Sequence, residues 1–424
     1  MYSLLIIIVI ILLSGREGMP FLATAGANHY AQLGREGDTS FFEVLDIEND
    51  FVQVCCGARY TLAVTRSGSV YGWGLNESGQ LALPAPIVKR PTLINTCSNG
   101  RIVKVSCGES HSLFLTSSGE IYCCGDGSCG QRGDGTFHSK CFELSRALLN
   151  ETARDVFCGA RTSFAITDDG DLFGWGETTS GMLGAKAWPT PTLSVPTRLS
   201  VGPPRTRIAW GVASRNFAIV ITTKGEILGA GSNSDGQLGI ADSCTYTWRP
   251  IRDVGRVSLV ACGCRHTLCY QVEKKRCIVL SDQPGSFSLP NPTGLAAGED
   301  NVFACVDGGR SLLVYGHNRN GQLGVGDIPN VEKLTQVALP IKANVVMVSC
   351  GRKHTCLLLS GEEVHRGNYT VFMEDSAIAE GDLSRNKRMV TNWKRLSFGW
   401  ECTATSVTAL IVGVLVARFY DYHR

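Results

Sequence analysis

Residues 105 to 130 read Val105-Ser106-Cys107-Gly108-Glu109-Ser110-His111-Ser112-Leu113-Phe114-Leu115-Thr116-Ser117-Ser118-Gly119-Glu120-Ile121-Tyr122-Cys123-Cys124-Gly125-Asp126-Gly127-Ser128-Cys129-Gly130. The glycines at 108, 119, 125 and 130 are spaced by 11, 6 and 5 residues. The same register recurs at Gly57, Gly68, Gly74, Gly79 and at Gly159, Gly170, Gly176, Gly181. A fourth copy, Ser214, Gly225, Gly231, Gly236, has only its first glycine replaced. Self-similarity at a fixed period marks a repeat architecture. Starts at 57, 108 and 159 lie 51 residues apart, long enough for one small antiparallel sheet per repeat.

Each copy reads as strands. Short β-forming runs such as Ile102–Cys107 end in a glycine. Ser67-Gly68, Ser118-Gly119, Asp169-Gly170 and Lys224-Gly225 fall where a tight hairpin wants a positive φ. Gly74, Gly125, Gly176 and Gly231 stand where strand ends crowd or need the same freedom. Four short strands with glycine-rich turns in about 50 residues is the pattern of a propeller blade.

Val105 to Leu115 and Gly72-Trp73-Gly74-Leu75-Asn76-Glu77-Ser78-Gly79-Gln80-Leu81 resemble the two halves of the regulator of chromosome condensation repeat. Gly316-His317-Asn318-Arg319-Asn320-Gly321-Gln322-Leu323-Gly324-Val325-Gly326-Asp327 resembles the second half again. Further first halves are Val260 to Leu268, with Gly263 and His266, and Val348 to Leu358, with Gly351 and His354. The resemblance spans roughly residues 21 to 367. First halves begin near 51, 102, 153, 208, 257, 295 and 345, and second halves near 21, 70, 121, 172, 227 and 312, with a weak one near 278. The expected fold is an all-β, seven-bladed propeller, closed by pairing Phe21–Gly34 with Val345–Ser360 so that no sheet edge stays free. Blade five has only 35 residues between Gly263 and Gly298, so six regular blades and one stunted one is the variant.

Charge sets no global field: 40 basic and 38 acidic residues leave a net +2, and no nucleic-acid partner is expected. Glycine is abundant, 48 of 424 residues, above the average of about 7%. Gly184 to Arg207, rich in proline, reads as a long loop between the third and fourth copies. Of 18 cysteines, Cys56, Cys107, Cys158, Cys262 and Cys350 precede the repeat glycine, where they behave as small apolar residues. Equivalent positions around a ring are too far apart for disulfides, and free thiols imply a reducing compartment. Cys123, Cys124 and Cys129, or Cys262, Cys264 and His266, lack two separated zinc knuckles, so neither metal nor cofactor is expected.

The ends carry apolar runs. Leu4 to Leu13 has the length of a signal-peptide core, without a preceding basic residue. Cys402 to Ala417 is uncharged, and Phe419, Tyr420 and Tyr422 follow it. The expected organisation is a hydrophobic segment at 1–18, a propeller at 19–367, a basic juxtamembrane linker at 368–401 and a candidate transmembrane helix at 402–419. The propeller would then face the cytosol, with a secretory alternative that sequons at Asn76, Asn150 and Asn368 keep open.

No nucleophile elbow, metalloprotease motif or phosphate loop is present. His111, His266 and His354 share one repeat position and read as structural, bonding blade backbone; Trp73 and Trp175 read as packing between blades. The resemblance implies a monomer binding partners through loops on one face of the disc. Its best-known activity is guanine nucleotide exchange on a Ran-type small GTPase; a secretion-regulating exchange factor is one branch, and an inhibitor of β-lactamase another. Such exchange needs no covalent chemistry. The contact candidates, chosen by their position after the second-half motifs and not by a residue-by-residue match to the family, are the loop acids Asp126, Asp134, Glu177, Asp235, Asp242 and Asp327. A membrane-tethered scaffold without exchange activity and a secreted binder are the alternatives.

Overall fold

The computed structural model describes residues 19–96, 100–184 and 190–361. The expected segments at 1–18, 368–401 and 402–419, and the sequon at Asn368, lie outside these. No helix among the described residues is long and apolar enough to cross a membrane.

Seven four-stranded antiparallel sheets make the propeller. Two N-terminal strands, β1 (Pro20–Gly26) and β2 (Glu43–Val44), precede the first complete blade. Blade one is β3 (Phe51–Cys56), β4 (Tyr60–Thr65), β5 (Val70–Leu75) and β6 (Ile87–Ile94). Blade two follows as β7 (Ile102–Cys107), β8 (His111–Thr116), β9 (Ile121–Gly125) and β10 (Ser145–Arg146). In blade three the strands are β11 (Ala153–Cys158), β12 (Thr162–Thr167), β13 (Leu172–Glu177) and β14 (Thr192–Arg198). Blade four holds β15 (Ile208–Ala213), β16 (Phe217–Thr222), β17 (Ile227–Ser232) and β18 (Cys244–Pro250). Blade five has β19 (Val257–Cys262), β20 (Thr267–Gln271), β21 (Arg276–Leu280) and β22 (Gly285–Ser288), and blade six β23 (Gly294–Ala297), β24 (Asn301–Val306), β25 (Ser311–His317) and β26 (Asn330–Gln336). The chain ends its described course in β27 (Ala343–Cys350) and β28 (His354–Gly361).

The closing blade has the order β2-β1-β28-β27, so the N-terminus supplies its two outer strands and the C-terminal half its two inner ones. Pairing runs without interruption from Pro20 opposite Ser360 to Gly26 opposite His354. The closure read from the half-repeats is the one observed, and it removes the sheet edge that an open ring would leave.

Two expectations are corrected. Blade five keeps all four strands; what it lacks is the long loop between its third and fourth, which is reduced to the four residues 281–284. The Pro-rich stretch 184–207 is not one loop, because β14 lies inside it and pairs with β13. Pro196 is tolerated there because an outermost strand needs hydrogen bonds on one side only.

The second strand of every blade is buried, as in Tyr60–Thr65, His111–Thr116 and Thr162–Thr167. Apolar clusters fill the spaces between adjacent sheets, with Leu62, Trp73, Ile102 and Phe114 in one and Phe164, Leu183, Val220 and Trp248 in another. All 16 described cysteines are unpaired, and burial pushes the thiols of Cys56, Cys123 and Cys158 up to about 12.

Two glycine positions explain the period. Gly125 has φ +96°, and a Cβ there would lie 2.9 Å from His111 Cα and collide with the Ser110 carbonyl. At Gly108 a Cβ would fall on the imidazole of His111, three residues on. The same ring-over-glycine packing recurs at Gly263 with His266 and Gly351 with His354. A Gly-x-x-His repeat is therefore one packing unit.

Candidate functional site

Strand direction alternates within a blade, so the turns joining first and second strands emerge on the same face as the long loops joining third and fourth strands. Every long loop is fixed from within. Asn76 donates to the carbonyls of Ala85 at 2.8 Å and Leu83, and its own oxygen accepts from Leu81 N at 2.8 Å. Asn233 and Asn318 repeat this set. Asn76 is 0% exposed, so its sequon is a by-product of a structural position.

A second relay links each loop to the next blade. The carbonyl of Gln131 accepts from Ser163 Oγ at 2.7 Å and from Trp175 Nε1 at 2.9 Å. Gln32 receives Thr61 and Trp73 in the same way. Ser112, Thr267 and Thr355 reach Gln80, Gln237 and Gln322 at 2.7, 2.7 and 2.9 Å. Where tryptophan is replaced by Cys124, its thiol makes the same bond to Gln80 O at 3.3 Å. The hydroxyl is present only where the glutamine is. Blade three carries Met182 instead, and blade four answers with Ala218 and Ala230; blade five has no such loop, and blade six answers with Val302.

The histidines complete the relay. His111 Nε2 lies 2.8 Å from Ser163 Oγ, and His354 Nε2 3.0 Å from Thr61 Oγ1. Each hydroxyl spends its proton on a glutamine carbonyl, so it must accept from the imidazole, which fixes the Nε2–H tautomer. Nδ1 of both rings is buried without a partner. Burial lowers both pKa values to about 4, since a second N–H would have no acceptor. His266 faces Val302 instead of a hydroxyl, and its Nε2 is the unpartnered atom. His111 and His354 thus reach a side-chain hydroxyl of the neighbouring blade, while the backbone of Tyr60 and of Asn301 contributes a hydrogen bond to His354 and to His266. The pairing of glutamine with hydroxyl across consecutive copies was available in the sequence and went unread.

All six loop acids lie in or at the start of third-to-fourth-strand loops, on one face. They are not brought together into one cluster. Asp126 accepts from Ser128 N at 2.9 Å, Glu177 from Thr179 Oγ1 at 2.8 Å and Asp235 from Ser234 Oγ at 2.9 Å. Asp242 pairs with Arg249 at 2.6 Å in the open. Asp327 accepts from Ser40 Oγ at 2.8 Å, and with Asn28, His29 and Arg319 it lines a cleft of about 600 Å³ between blade six and the closing blade.

Asp134 differs. Its side chain is 8% exposed, 3.1 Å from an Arg132 side chain that is 2% exposed. Burial raises its pKa, but hydrogen bonds from Ser145 and Thr136 and the Arg132 charge outweigh that, and the net shift is downward. It braces the long blade-two loop, which lifts Phe137 and Phe142 into solvent at 53% and 39% exposure.

The class is defined by this geometry: a propeller of half-repeats, closed on itself, presenting braced loops on one face. Residues 17–280 match the RCC1-like domain and residues 311–358 the regulator of chromosome condensation (RCC1) repeat, and the chain belongs to this family. It is 28% identical over 325 residues to the ultraviolet-B receptor UVR8 of Arabidopsis thaliana, covering 71% of this chain and 73% of the receptor. It is 28% identical over 341 residues to the X-linked retinitis pigmentosa GTPase regulator of Canis lupus familiaris, covering 71% of this chain but 32% of that protein. The probable E3 ubiquitin-protein ligase HERC6 of Homo sapiens is 30% identical over 282 residues, 63% of this chain and 27% of the ligase. The matches thus span well under half of the regulator and the ligase. Among solved structures, human WBSCR16 superposes with a TM-score of 0.73 at 21% identity, covering 81% of this chain and 99% of that one. Prp20p of Saccharomyces cerevisiae gives 0.51 at 16%, covering 82% and 93%.

Proposed function

We propose that this propeller is a protein-binding module that regulates a small GTPase through its loop face, holding the nucleotide-free form. The observation that carries the reading is the braced loop face itself, with the cleft beside Asp327 and the lifted Phe137 and Phe142. Family membership and the likeness to a protein named as a GTPase regulator supply the partner class. Exchange follows from differential binding alone: a surface with higher affinity for the empty GTPase shifts the equilibrium toward nucleotide release. Exposed Asp242 and Asp327 and half-buried Asp126, Glu177 and Asp235 are the contact candidates, competing with phosphate for its site. Asp134 acts through the loop it braces.

The propeller works in a reducing compartment in this reading, supported by its unpaired thiols. Attachment to a membrane through 402–419 belongs to the same proposal; carbonate extraction of wild type beside Leu410→Arg tests it, and a wild type that washes off defeats it.

The test is capture of purified small GTPases, nucleotide-depleted by chelation, on the immobilised full chain, followed by release of a fluorescent guanine nucleotide. Faster release, slowed by Asp242→Asn/Asp327→Asn, is expected. Capture without acceleration would leave a scaffold, and capture that does not distinguish empty from loaded GTPase would overturn the reading.

A further inference from the structure

The seven turns between first and second strands meet around one mouth of the central channel, where they enclose about 150 Å³. Between the repeat-glycine position and the buried second strand, each turn carries two residues that vary among the blades. These turns contain Arg59, Arg161, Arg215, Arg265, Arg352 and Lys353 against Glu109, Glu299 and Asp300. Six cations less three acids leave +3, more than the +2 of the entire chain. The rest of the molecule is therefore slightly acidic, and the positive charge is gathered at this mouth.

Internal pairing sharpens the imbalance. Glu299 is engaged by Arg352 at 3.6 Å; Asp300 lies 3.5 Å from His317 Nδ1 and keeps its charge beside a neutral imidazole. Arg59 sits over the Tyr30 ring, 4.8 Å from its centre. Arg161, Arg215, Arg265 and Lys353 are exposed and have no ion-pair partner among the described residues. They rise from four different blades, against Glu109 and Asp300 as the acids without a lysine or arginine partner among the described residues. Elsewhere on the surface some arginines have found carboxylates, as in Arg66 with Asp50 and Arg146 with Glu120, and others, such as Arg252, stand singly among the described residues.

We infer that this rim is a docking surface for an acidic polypeptide segment lying across the channel mouth. A compact phosphate group would want converging backbone N–H groups. Here those of Glu109, Cys264 and Arg352 are already spent on the carbonyls of Ala160, Gly298 and Ala58 in neighbouring turns. Cations spaced around a ring match carboxylates spaced along a chain, and their side chains are free to meet them. The inference rests on the charge distribution and not on the identity of any GTPase.

The probe is a fluorescein-labelled polyglutamate peptide, titrated with the full chain at several salt concentrations and read by anisotropy. Salt-sensitive binding, absent for polyglutamine, is expected. Arg161→Gln/Arg215→Gln/Arg265→Gln should weaken it on the order of tenfold or more, since several exposed pairs are lost together. Lys224→Gln/Arg252→Gln, with both residues exposed at the opposite ends of the strands, should leave it unchanged. Thermal melting checks that each variant folds; should the triple variant not fold, Lys353→Gln alone must still weaken binding. Equal losses in both variant sets, or binding of polyglutamine as tight as of polyglutamate, overturns the proposal. So does an oligodeoxynucleotide or inorganic polyphosphate of equal charge that displaces the peptide at lower concentration, which would make the rim a general anion site.

Discussion

Mild acid should loosen this propeller through two buried imidazoles. His111 and His354 are 0% and 1% exposed, each held as the neutral Nε2–H tautomer by a hydroxyl of the next blade. Their folded pKa of about 4 lies below the ordinary value of 6.5. The unfolded chain therefore binds more protons between pH 6.5 and 4, so stability is fully present above 6.5 and is lost as the pH falls through that interval. Between pH 7 and 5.5 each ring accounts for roughly 1.2 kcal/mol, about 2.5 kcal/mol for the pair, by this linkage. That interval lies above most carboxylate titration, which isolates the histidines. Urea unfolding at a series of pH values measures the slope directly. His111→Gln/His354→Gln keeps an N–H donor for Ser163 and Thr61 while removing the titration, so the variant should be less stable at pH 7 but much flatter with pH. A wild type that loses less than about 0.5 kcal/mol over this range, or a variant with an unchanged slope, would refute the relay as the cause.

Deleting residues 19–34 removes β1 and leaves β28 with an unpaired edge; we expect loss of cooperative unfolding and self-association, and a variant that stays monomeric and melts as sharply would defeat the closed ring. Gly125→Val combines a positive φ with a collision at the Ser110 carbonyl, and should cost at least about 1–3 kcal/mol in chemical denaturation. An unmoved midpoint would show that the backbone there relaxes freely. Asp134→Ala strands the buried Arg132 guanidinium, for which about 3–5 kcal/mol is typical; protease sensitivity should appear first between Gly135 and Glu143, and a loop cut no faster than in wild type would count against the brace.

Much of this architecture could be read from residue spacing. The half-repeats, the closure and the glycine register all follow from local rules that every copy must obey. Two strands escaped because their sequences argue against themselves. β14 contains Pro196, excusable only at an edge, and β22 is Gly-Ser-Phe-Ser after Pro284, with little intrinsic β preference. Spacing also placed the six acids in loops on one face, yet could not tell a free carboxylate from a brace. Asp134 and Asp242 look alike in sequence; only packing shows one locked on Arg132 and the other in solvent. The cationic rim was missed for a related reason. It occupies the turn positions that differ from copy to copy, and a search for repetition discards what varies.

That division explains how the fold and the function can coexist. Where a copy carries them, asparagine, glutamine, serine or threonine, and histidine are consumed in fixing loops to their own blade and to the next. A loop fixed in advance loses less conformational freedom when a partner binds, so more of the contact energy appears as affinity. Most of the residues left over, in the turns at the channel mouth and along the long loops, differ between blades, with Asp134 as a brace among them. Blade five sharpens the asymmetry. It has four residues in place of a long loop on the face where Cys264 lines the channel mouth. An extended segment reaching blade five would meet Arg265 first, with Arg215 one blade away on one side and Lys353 two blades away on the other. The same truncation removes the glutamine that blade six would otherwise have answered; Val302 stands there, and Nε2 of His266 has no partner. The interface that gave up a structural bond is thus the one that follows the blade with the shortest third-to-fourth-strand connection.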